Sequence, residues 1–487
     1  MRRLLIGPFE YLRDLGAGAV RSWNRFFFAP ADPTPIGLIR LLLGLLLLWD
    51  WGVLGLDLHA FLGSEGWVDP SVARLFLQES DSWAWSLWAW VPDGALWPAW
   101  AACLVVFALF TVGLGSRTMA LLAWAIVIST DRRAPVTLYG FDQAVSTWML
   151  YLAFTFSSGK ALSLDRFLGR WRSARVEIAR RRRSNRPLAE AIPPGVPEPS
   201  VSANLALRLI QLHLCLIYGM SGLAKLQGPA WIEGQAFGML LGYSEFRPID
   251  LTWMAIYPFL LMLLTHAALF LELLYPVLVW PRLLRPLVIA LTMGMHVGIA
   301  LTMGLYEFAA AMIVGNLAFA SGPWLRSFLT GSKAAQPAGK VLYDGACPRC
   351  RASIALVGAA DPDRVIEPID LTVVEVKEVH PSLSKEACLG SMHLVRRDGR
   401  VFAGYDAMIV LARWMPLLWP LAVVGRLPGV TSMGRALYNR LAASRPRDVP
   451  CHDEVCAIPP KSNAPESRPQ SQDARRSTGA ESGRNPR

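Results

Sequence analysis

Long apolar stretches are the feature that most constrains the fold of this chain. Residues 287–322 contain a single charged side chain, Glu307, and similar stretches recur throughout the first 325 residues. A helix needs about 20 apolar residues to cross a bilayer. Because a segment in lipid must satisfy its own backbone polar groups, these stretches predict a bundle of membrane-spanning helices.

The predicted membrane bundle has about eight spans. Their approximate bounds are 36–56, 95–114, 119–130, 142–158, 205–225 and 253–280, with 287–322 divided at Gly304 into two short spans. An even number of crossings leaves both chain ends on the side of the basic loops, which is the cytoplasm. Residues 1–30 mix arginines with aromatic side chains, a pattern typical of a helix that lies on the membrane surface.

Composition and charge support an integral membrane protein. The chain is 53% hydrophobic and 17% charged, with a net charge of +11. Many of the basic residues are concentrated in 160–186, which could bind nucleic acid. Between two spans, however, such a run is better interpreted as a cytoplasmic loop that faces anionic lipid, so no nucleic acid partner is expected. The seven cysteines are irregularly spaced and do not suggest a secreted disulfide scaffold.

Lys225, at the end of the fifth predicted span, has two interpretations. A lysine at a helix end can extend its ammonium group to the membrane surface without any further role. The functional interpretation rests on its neighbours, because Gly219, Ser221 and Gly222 allow another helix to approach closely and Trp231 follows in the next loop. The sequence leaves both interpretations open.

Other ionisable side chains also lie within the predicted spans, namely His213, His266, Glu272, His296 and Glu307. Such groups usually face the interior of a bundle and indicate a functional site. The alternative is that they satisfy one another or backbone carbonyls. We take His266, Glu272 and His296 as candidates for binding a cofactor. No paired spacing such as His-x-x-x-His occurs, so no metal is expected.

Three segments of the membrane part resemble the vitamin K-dependent gamma-carboxylase family and its bacterial relatives, the HTTM proteins. They are GLAKLQGPAWIEG, YGFDQAVSTWMLYLAFTFSSGKALSLD and MHVGIALTMGLYEF, and the resemblance covers roughly residues 20–325. It implies that Lys225 is a catalytic base and that the ligand is a quinol. The chain departs from the carboxylases at RRAPVTLYG, where their catalytic histidine is missing, and it lacks their large lumenal domain. Carboxylation of peptide glutamates is therefore not expected.

The character of the sequence changes after residue 339. KVLYDG and RVIEPIDL predict strands on either side of the helix CPRCRASIALVGAA. SMHLVRR and RVFAGY predict a hairpin with a two-residue turn at Asp398-Gly399, followed by the helix DAMIVLARWM. The order βαβ then ββα is a minimal thioredoxin-like arrangement.

YDGACPRC resembles the signature of the DCC family of thiol-disulfide oxidoreductases, through Asp344, Cys347 and Cys350. The resemblance spans about 340–445 and implies redox chemistry with a cellular thiol or disulfide partner. Cys347 opens a helix, so it is predicted to be the attacking thiol, and Cys350 the resolving one. Asp344 either shuttles a proton or stabilises the turn. Half of a zinc site is the alternative, completed by residues drawn from Cys388, His380, His393, Cys451 and Cys456.

The predicted domain organisation follows from these features. Residues 1–30 form an interfacial segment, 31–325 the HTTM-like membrane module, 326–339 a linker, 340–446 the C-terminal domain and 447–487 a disordered tail. The fold class is a polytopic α-helical membrane bundle plus a C-terminal α/β thioredoxin-like domain. Two functions remain open. One is an enzyme with cytoplasmic dithiol chemistry, and the other is a non-catalytic scaffold that binds lipid or quinone and docks a partner.

Overall fold

The computed structural model describes residues 2–79, 85–183, 195–243, 248–331, 337–361 and 365–444. The predicted disordered tail therefore lies outside the described residues, as do Cys451 and Cys456. The helices that precede the C-terminal domain are α1 Arg2–Phe28, α2 Thr34–Leu54, α3 Leu58–Leu62, α4 Pro70–Glu79, α5 Leu96–Val112, α6 Ser116–Arg133, α7 Gly140–Thr155, α8 Leu164–Arg183, α9 Val201–Lys225, α10 Pro229–Ile232, α11 Ala236–Gly242, α12 Pro258–Leu278, α13 Arg285–Met303, α14 Tyr306–Asn316 and α15 Gly322–Thr330.

Within the described residues, five helices are long and apolar enough to cross a membrane, so the predicted count of eight is not confirmed. These candidate spans are Thr34–Leu62, Asp93–Val112, Val201–Lys225, Pro258–Leu278 and Arg285–Met303. A sixth is formed if Tyr306–Phe319 and Gly322–Thr330, which meet at a bend of 118°, count as one span. Helices α6 and α7 occupy the third and fourth predicted positions, but α6 ends in three charged residues and α7 has only 16 residues.

The break predicted at Gly304 is confirmed. This residue ends α13 with φ +71°, a left-handed conformation that glycine adopts without strain. Helix α14 then begins at Tyr306, so the longest apolar stretch is divided into two helices as expected. The division matters because it brings His296 on α13 and Asn316 at the end of α14 into one hydrogen-bonded cluster, described below.

Helix α2 is the centre of the membrane module, with Ile36, Ile39 and Leu43 fully buried. Its Arg40 is also buried, and its guanidinium donates to the carbonyls of Ser158 (2.8 Å) and Leu162 (2.6 Å). Nearby, the Asp165 carboxylate accepts hydrogen bonds from the backbone amides of Gly115 (2.8 Å) and Ser116 (2.7 Å), at the start of α6.

These contacts give a structural role to the Ser-Leu-Asp sequence that ends the segment YGFDQAVSTWMLYLAFTFSSGKALSLD. Asp165 caps the N-terminus of α6, where backbone amides lack intrahelical partners. The Arg40 guanidinium also holds this loop, by donating to the loop carbonyls of Ser158 and Leu162. The loop is thereby fixed at the end of the bundle from which α8 emerges.

The C-terminal domain contains a mixed four-stranded sheet of order β2-β1-β3-β4. Strand β1 pairs parallel to β2 and antiparallel to β3, and β3 pairs antiparallel to β4. The βαβ then ββα order predicted from the sequence is confirmed. The elements are β1 Gly339–Tyr343, α16 Pro348–Ala360, β2 Ile366–Asp370, α17 Val376–Val379, α18 Lys385–Gly390, β3 His393–Arg396, β4 Val401–Ala403, α19 Gly404–Trp414, α20 Trp419–Val424 and α21 Val430–Ala443.

The predicted two-residue turn between β3 and β4 is wrong. The Arg396 amide donates to the Arg400 carbonyl (2.8 Å), and the Gly399 amide donates to the Arg396 carbonyl (3.0 Å), so three residues form the loop. Gly399 has φ +80°. A glycine in the left-handed conformation at the third loop position is the usual solution for a three-residue hairpin. The loop is therefore one residue longer than the predicted Asp398-Gly399 turn.

Candidate functional site

The CPRC motif, residues 347–350, lies where β1 passes into α16. Cys347 is the N-cap of the helix, with φ −91° and ψ 120°, and Pro348 opens the first turn. The Sγ atom of Cys347 accepts a hydrogen bond from the backbone amide of Cys350 at 3.3 Å. Helix N-termini carry unpaired amides and a partial positive charge. The predicted position of Cys347 sulfur at the start of the helix is therefore what the structure shows.

Cys347 and Cys350 are not joined by a disulfide in this structure, and both are buried. Cys347 is 1% exposed and Cys350 is 9% exposed. A thiol at this depth can reach a protein disulfide only after the loop or its cover moves. Burial therefore limits access to Cys347, although its sulfur lies at the N-terminus of α16.

Asp344 forms the turn between β1 and the motif. Its Oδ1 accepts from the Ala346 amide (3.0 Å), and its carbonyl accepts from the Cys347 amide (3.2 Å). The residue is buried, at 4% exposure. This geometry supports the turn-stabilising role that the sequence left open beside proton transfer, and proton transfer by Asp344 remains a prediction.

Gly345 is required for the same turn. A Cβ atom at this position would overlap the carboxylate of Asp370 at the end of β2. Arg351 reaches back from the first turn of α16, and its Nη1 donates to the Gly345 carbonyl at 2.7 Å. The loop that presents Cys347 is therefore fixed by contacts to both β2 and α16.

The zinc alternative finds no support in the part of the chain that is described. There, no three His, Cys, Asp or Glu side chains come together as ligands. Cys388 is packed in an apolar cluster, and burial raises the pKa of its thiol to about 11. His393 lies at the start of β3 with Nδ1 2.9 Å from the Ser391 carbonyl, and the half-buried His380 contacts Ser382.

The basic segment predicted as a lipid-facing loop is instead mostly helix, and one face of that helix contacts the C-terminal domain. Helix α8 packs on α16. Arg170 donates to the carbonyls of Gly358 (2.6 Å), Ala359 (2.6 Å) and Asp361 (2.8 Å) at the C-terminal end of α16. Burial lowers the pKa of Arg170 to about 10, so its guanidinium stays charged at neutral pH.

This contact follows simple electrostatics. The last carbonyls of a helix lack intrahelical partners and carry partial negative charge, which an arginine satisfies well. The helix that begins with the CPRC motif is therefore held at its other end by the membrane module. No local signal in the sequence predicts this contact, because Arg170 is one of many similar arginines in 160–186.

Replacing Arg170 with alanine is expected to weaken the contact between the C-terminal domain and the membrane module. Three charge-assisted hydrogen bonds are lost, and the docking contact should weaken by on the order of 2–3 kcal/mol. Hydrogen–deuterium exchange on the whole protein should show faster exchange at the end of α16. Arg172→Ala is the matched control, since Arg172 is exposed on the same helix. Equal exchange in the two variants would contradict this role.

In the membrane module, Lys225 and Glu272 are brought together. Lys225 Nζ lies 2.7 Å from Glu272 Oε2 and 2.6 Å from Ser221 Oγ, and 5.0 Å from the centre of the Trp231 ring. The side chain of Lys225 is 21% exposed and that of Glu272 is 9% exposed. Lys225 thus joins α9 to α12 through an ion pair, a contact that a lysine reaching freely to the surface would not make.

Among the described residues, His266 and His296 form no hydrogen bond with each other or with Glu272. His266 Nε2 lies 3.0 Å from the Ile232 carbonyl, which is the backbone alternative considered from the sequence. His296 Nε2 instead lies 2.8 Å from the Tyr218 hydroxyl.

A buried hydrogen-bond network surrounds Tyr218, and the sequence analysis missed it. Asn316 Nδ2 donates to the Tyr218 hydroxyl (3.1 Å) and to the Met312 carbonyl (2.9 Å), and Tyr275 donates to Asn316 Oδ1 (2.7 Å). Asn316 is a polar amide within a long apolar stretch, and that was the available signal.

A family model described as a DCC1-like thiol-disulfide oxidoreductase matches residues 341–448. Neither the curated proteins nor the solved structures gave any match to the chain. The resemblance proposed for the C-terminal domain is therefore confirmed. The resemblance of the membrane module to the carboxylases remains a prediction.

Proposed function

We propose that this protein is an integral membrane thiol-disulfide oxidoreductase with a thioredoxin-like C-terminal domain on the cytoplasmic side. The observation that carries the proposal is the CPRC geometry, with Cys347 at the N-cap of α16 and its sulfur 3.3 Å from the Cys350 amide. The family match over 341–448 supports the same chemistry. The basic segment next to the domain supports the cytoplasmic side, because lysine and arginine are enriched in cytoplasmic loops.

The proposed reaction is reversible dithiol–disulfide exchange with a cellular partner. The Cys347 thiolate attacks a partner disulfide, which forms a mixed disulfide and releases one partner thiolate. The Cys350 thiolate then attacks Cys347 sulfur and releases the second partner thiol. The partner disulfide is reduced by two electrons, and the motif is oxidised to a Cys347–Cys350 disulfide.

Equilibration of the whole protein with glutathione buffers tests this proposal. The motif is expected to convert between dithiol and disulfide in one two-electron transition, with a tenfold change in the equilibrium per about 30 mV. Differential alkylation followed by mass spectrometry measures each cysteine. Cys388 should stay reduced throughout. If Cys347 and Cys350 remain separate free thiols at every potential, the proposal is wrong.

For the membrane module we propose a ligand site of the HTTM type, in a bundle of about eight spans, that takes a quinol or a lipid. Lys225 would act as the base, with Glu272, His266 and His296 as binding residues. The supporting observation is an unpartnered atom: His296 is 2% exposed, and its Nδ1 is buried without a hydrogen-bond partner among the described residues. A buried polar atom of this kind is costly unless something satisfies it.

The network indicates which chemistry would satisfy this atom. The Tyr218 hydroxyl accepts a hydrogen bond from Asn316, and in the tautomer that we propose it donates its own proton to Nε2 of His296. In the neutral histidine the remaining proton then lies on Nδ1, which makes Nδ1 a donor. A ligand with a carbonyl oxygen, such as a quinone, supplies the matching acceptor.

Replacing His296 with phenylalanine is expected to weaken binding of a soluble short-chain quinone about tenfold, because one buried hydrogen bond is lost. Titration of tryptophan fluorescence quenching on the whole protein measures the affinity. His59→Phe is the control, since the His59 side chain is exposed on α3. Equal affinities in the two variants would argue against a site at His296.

The scaffold function remains the alternative for the membrane module. It predicts ligand binding without turnover, and a C-terminal domain whose partners bind equally well with either cysteine replaced. The ion pair between Lys225 and Glu272 fits both functions, because such a pair can position a base or simply join two helices.

A further inference from the structure

Helix α21 exposes an apolar stripe that no element of the described chain covers. Met433, Leu437 and Leu441 are 67%, 57% and 54% exposed, and their spacing of four residues puts them on one face. A neighbouring face anchors the helix, since the Tyr438 hydroxyl accepts from the Met392 amide at 2.9 Å, just before β3. The apolar stripe therefore faces outward on a helix that is anchored to the rest of the domain.

Helix α20, which packs on α19 as α21 does, and the turn after it also expose apolar side chains. The exposed apolar side chains there are Leu421, Val423, Val424 and Leu427. We call the seven side chains on α20, the turn and α21 the apolar surface. Exposed apolar surface of this extent marks an interaction site rather than ordinary solvent-facing residues.

The charge around the apolar surface is strongly basic. Residues 404–444 contain four arginines, Arg413, Arg426, Arg435 and Arg440, and one acidic residue, Asp406. Asp406 pairs with Arg435 at 3.0 Å, which leaves three arginines in excess. Apolar side chains beside arginines are typical of helices that lie in the headgroup region of anionic membranes.

The apolar surface also lies close to the point where the chain leaves the membrane module. Helix α15 follows the last apolar helix after the 118° bend and packs on α19, and α19 in turn packs on α20 and α21. Trp324 and Phe328 of α15 are exposed and stacked at 5.6 Å. Exposed aromatic side chains at a span end are typical of the membrane interface.

We propose that the apolar surface of α20 and α21 docks on the anionic lipid surface next to the membrane module. This goes beyond the proposed redox function. It has a consequence for that function, because Arg349 of the CPRC motif donates to the Ser444 carbonyl (2.9 Å) and hydroxyl (2.8 Å), directly after α21. Docking of α21 would hold the redox motif at the membrane surface, within reach of membrane-associated thiol partners.

Photolabelling of the whole protein in lipid nanodiscs tests the proposal. The nanodiscs consist of phosphatidylcholine with about 30% phosphatidylglycerol, whose negative charge gives the surface an anionic potential. They also carry a trace phospholipid with a diazirine near its headgroup. Mass spectrometry maps the adducts. They are expected on the 430–443 peptide at least about fivefold above the peptide that contains Val373, which is 77% exposed on the same domain.

The double variant Arg426→Glu/Arg440→Glu checks the electrostatic part. Its adducts on α21 should fall to the level of the Val373 peptide in anionic nanodiscs, whereas Lys377→Glu, at an exposed position on α17, should change nothing. Equal labelling of α21 and the Val373 peptide in the unmodified protein overturns the proposal and leaves the apolar surface to a protein partner. Labelling of α21 that is the same with and without phosphatidylglycerol overturns the anionic preference.

Discussion

Cys347→Ser is expected to abolish thiol-disulfide exchange by the whole protein, lowering the rate by about three orders of magnitude or more. The reason is chemical, since a serine hydroxyl at the same N-cap position still caps α16 but is not a nucleophile toward disulfides at neutral pH. The fold should therefore survive the change. The measurement is the rate of reduction of a small aromatic disulfide by the reduced protein.

Cys350→Ser should behave differently, because the first attack remains possible. The partner should then stay attached to Cys347 as a mixed disulfide that non-reducing electrophoresis and mass spectrometry detect. Cys388→Ser is the control and should leave the rate unchanged, because the Cys388 thiol is buried with its pKa raised to about 11. Full activity in Cys347→Ser would remove the basis of the proposed function.

Glu272→Gln is expected to have the largest effect on the stability of the membrane module. It leaves Lys225 without its counter-charge at the junction of α9 and α12. Removing one partner of a buried ion pair costs about 3–5 kcal/mol, and we expect about 2–3 kcal/mol because the Lys225 side chain retains some exposure. Thermal unfolding of the detergent-solubilised protein measures the loss.

Two further variants separate stability from chemistry at this pair. Glu272→Gln/Lys225→Met should recover most of the lost stability, because no unpaired charge remains. Lys225→Arg should keep the stability but abolish any chemistry that needs a neutral base, since arginine is not deprotonated in proteins. A Glu272→Gln variant as stable as the unmodified protein would show that the pair does not hold α9 to α12.

Local signals in the sequence were enough for the break at Gly304, for the strand and helix around Cys347 and for the end of α9. Gly304 predicted the break between two helices because glycine ends helices in the left-handed conformation. The strand and helix around Cys347 followed from their apolar patterns and from the proline after the cysteine. Lys225 ends α9 as predicted, because the apolar pattern stops there.

Contacts between distant residues could not be read in this way. Arg170 caps α16 across 188 positions of sequence, and nothing local distinguishes it from its basic neighbours. The partner of Lys225 was equally hidden, since Glu272 lies 47 residues away on another helix. The number of spans stayed open because α6 and α7 have interior positions in the bundle but too much charge or too little length to be recognised as spans.

The most direct test of the central claim is the alkylation rate of each motif cysteine in the reduced whole protein, with iodoacetamide and mass spectrometry over a pH series. Burial alone would favour Cys350, which is the more exposed of the two, whereas the helix N-terminus favours Cys347. We predict that Cys347 reacts faster than Cys350 near neutral pH, because its sulfur lies at the helix N-terminus. Faster reaction of Cys350, or both cysteines reacting as free thiols do, would contradict the assignment of Cys347 as the attacking thiol.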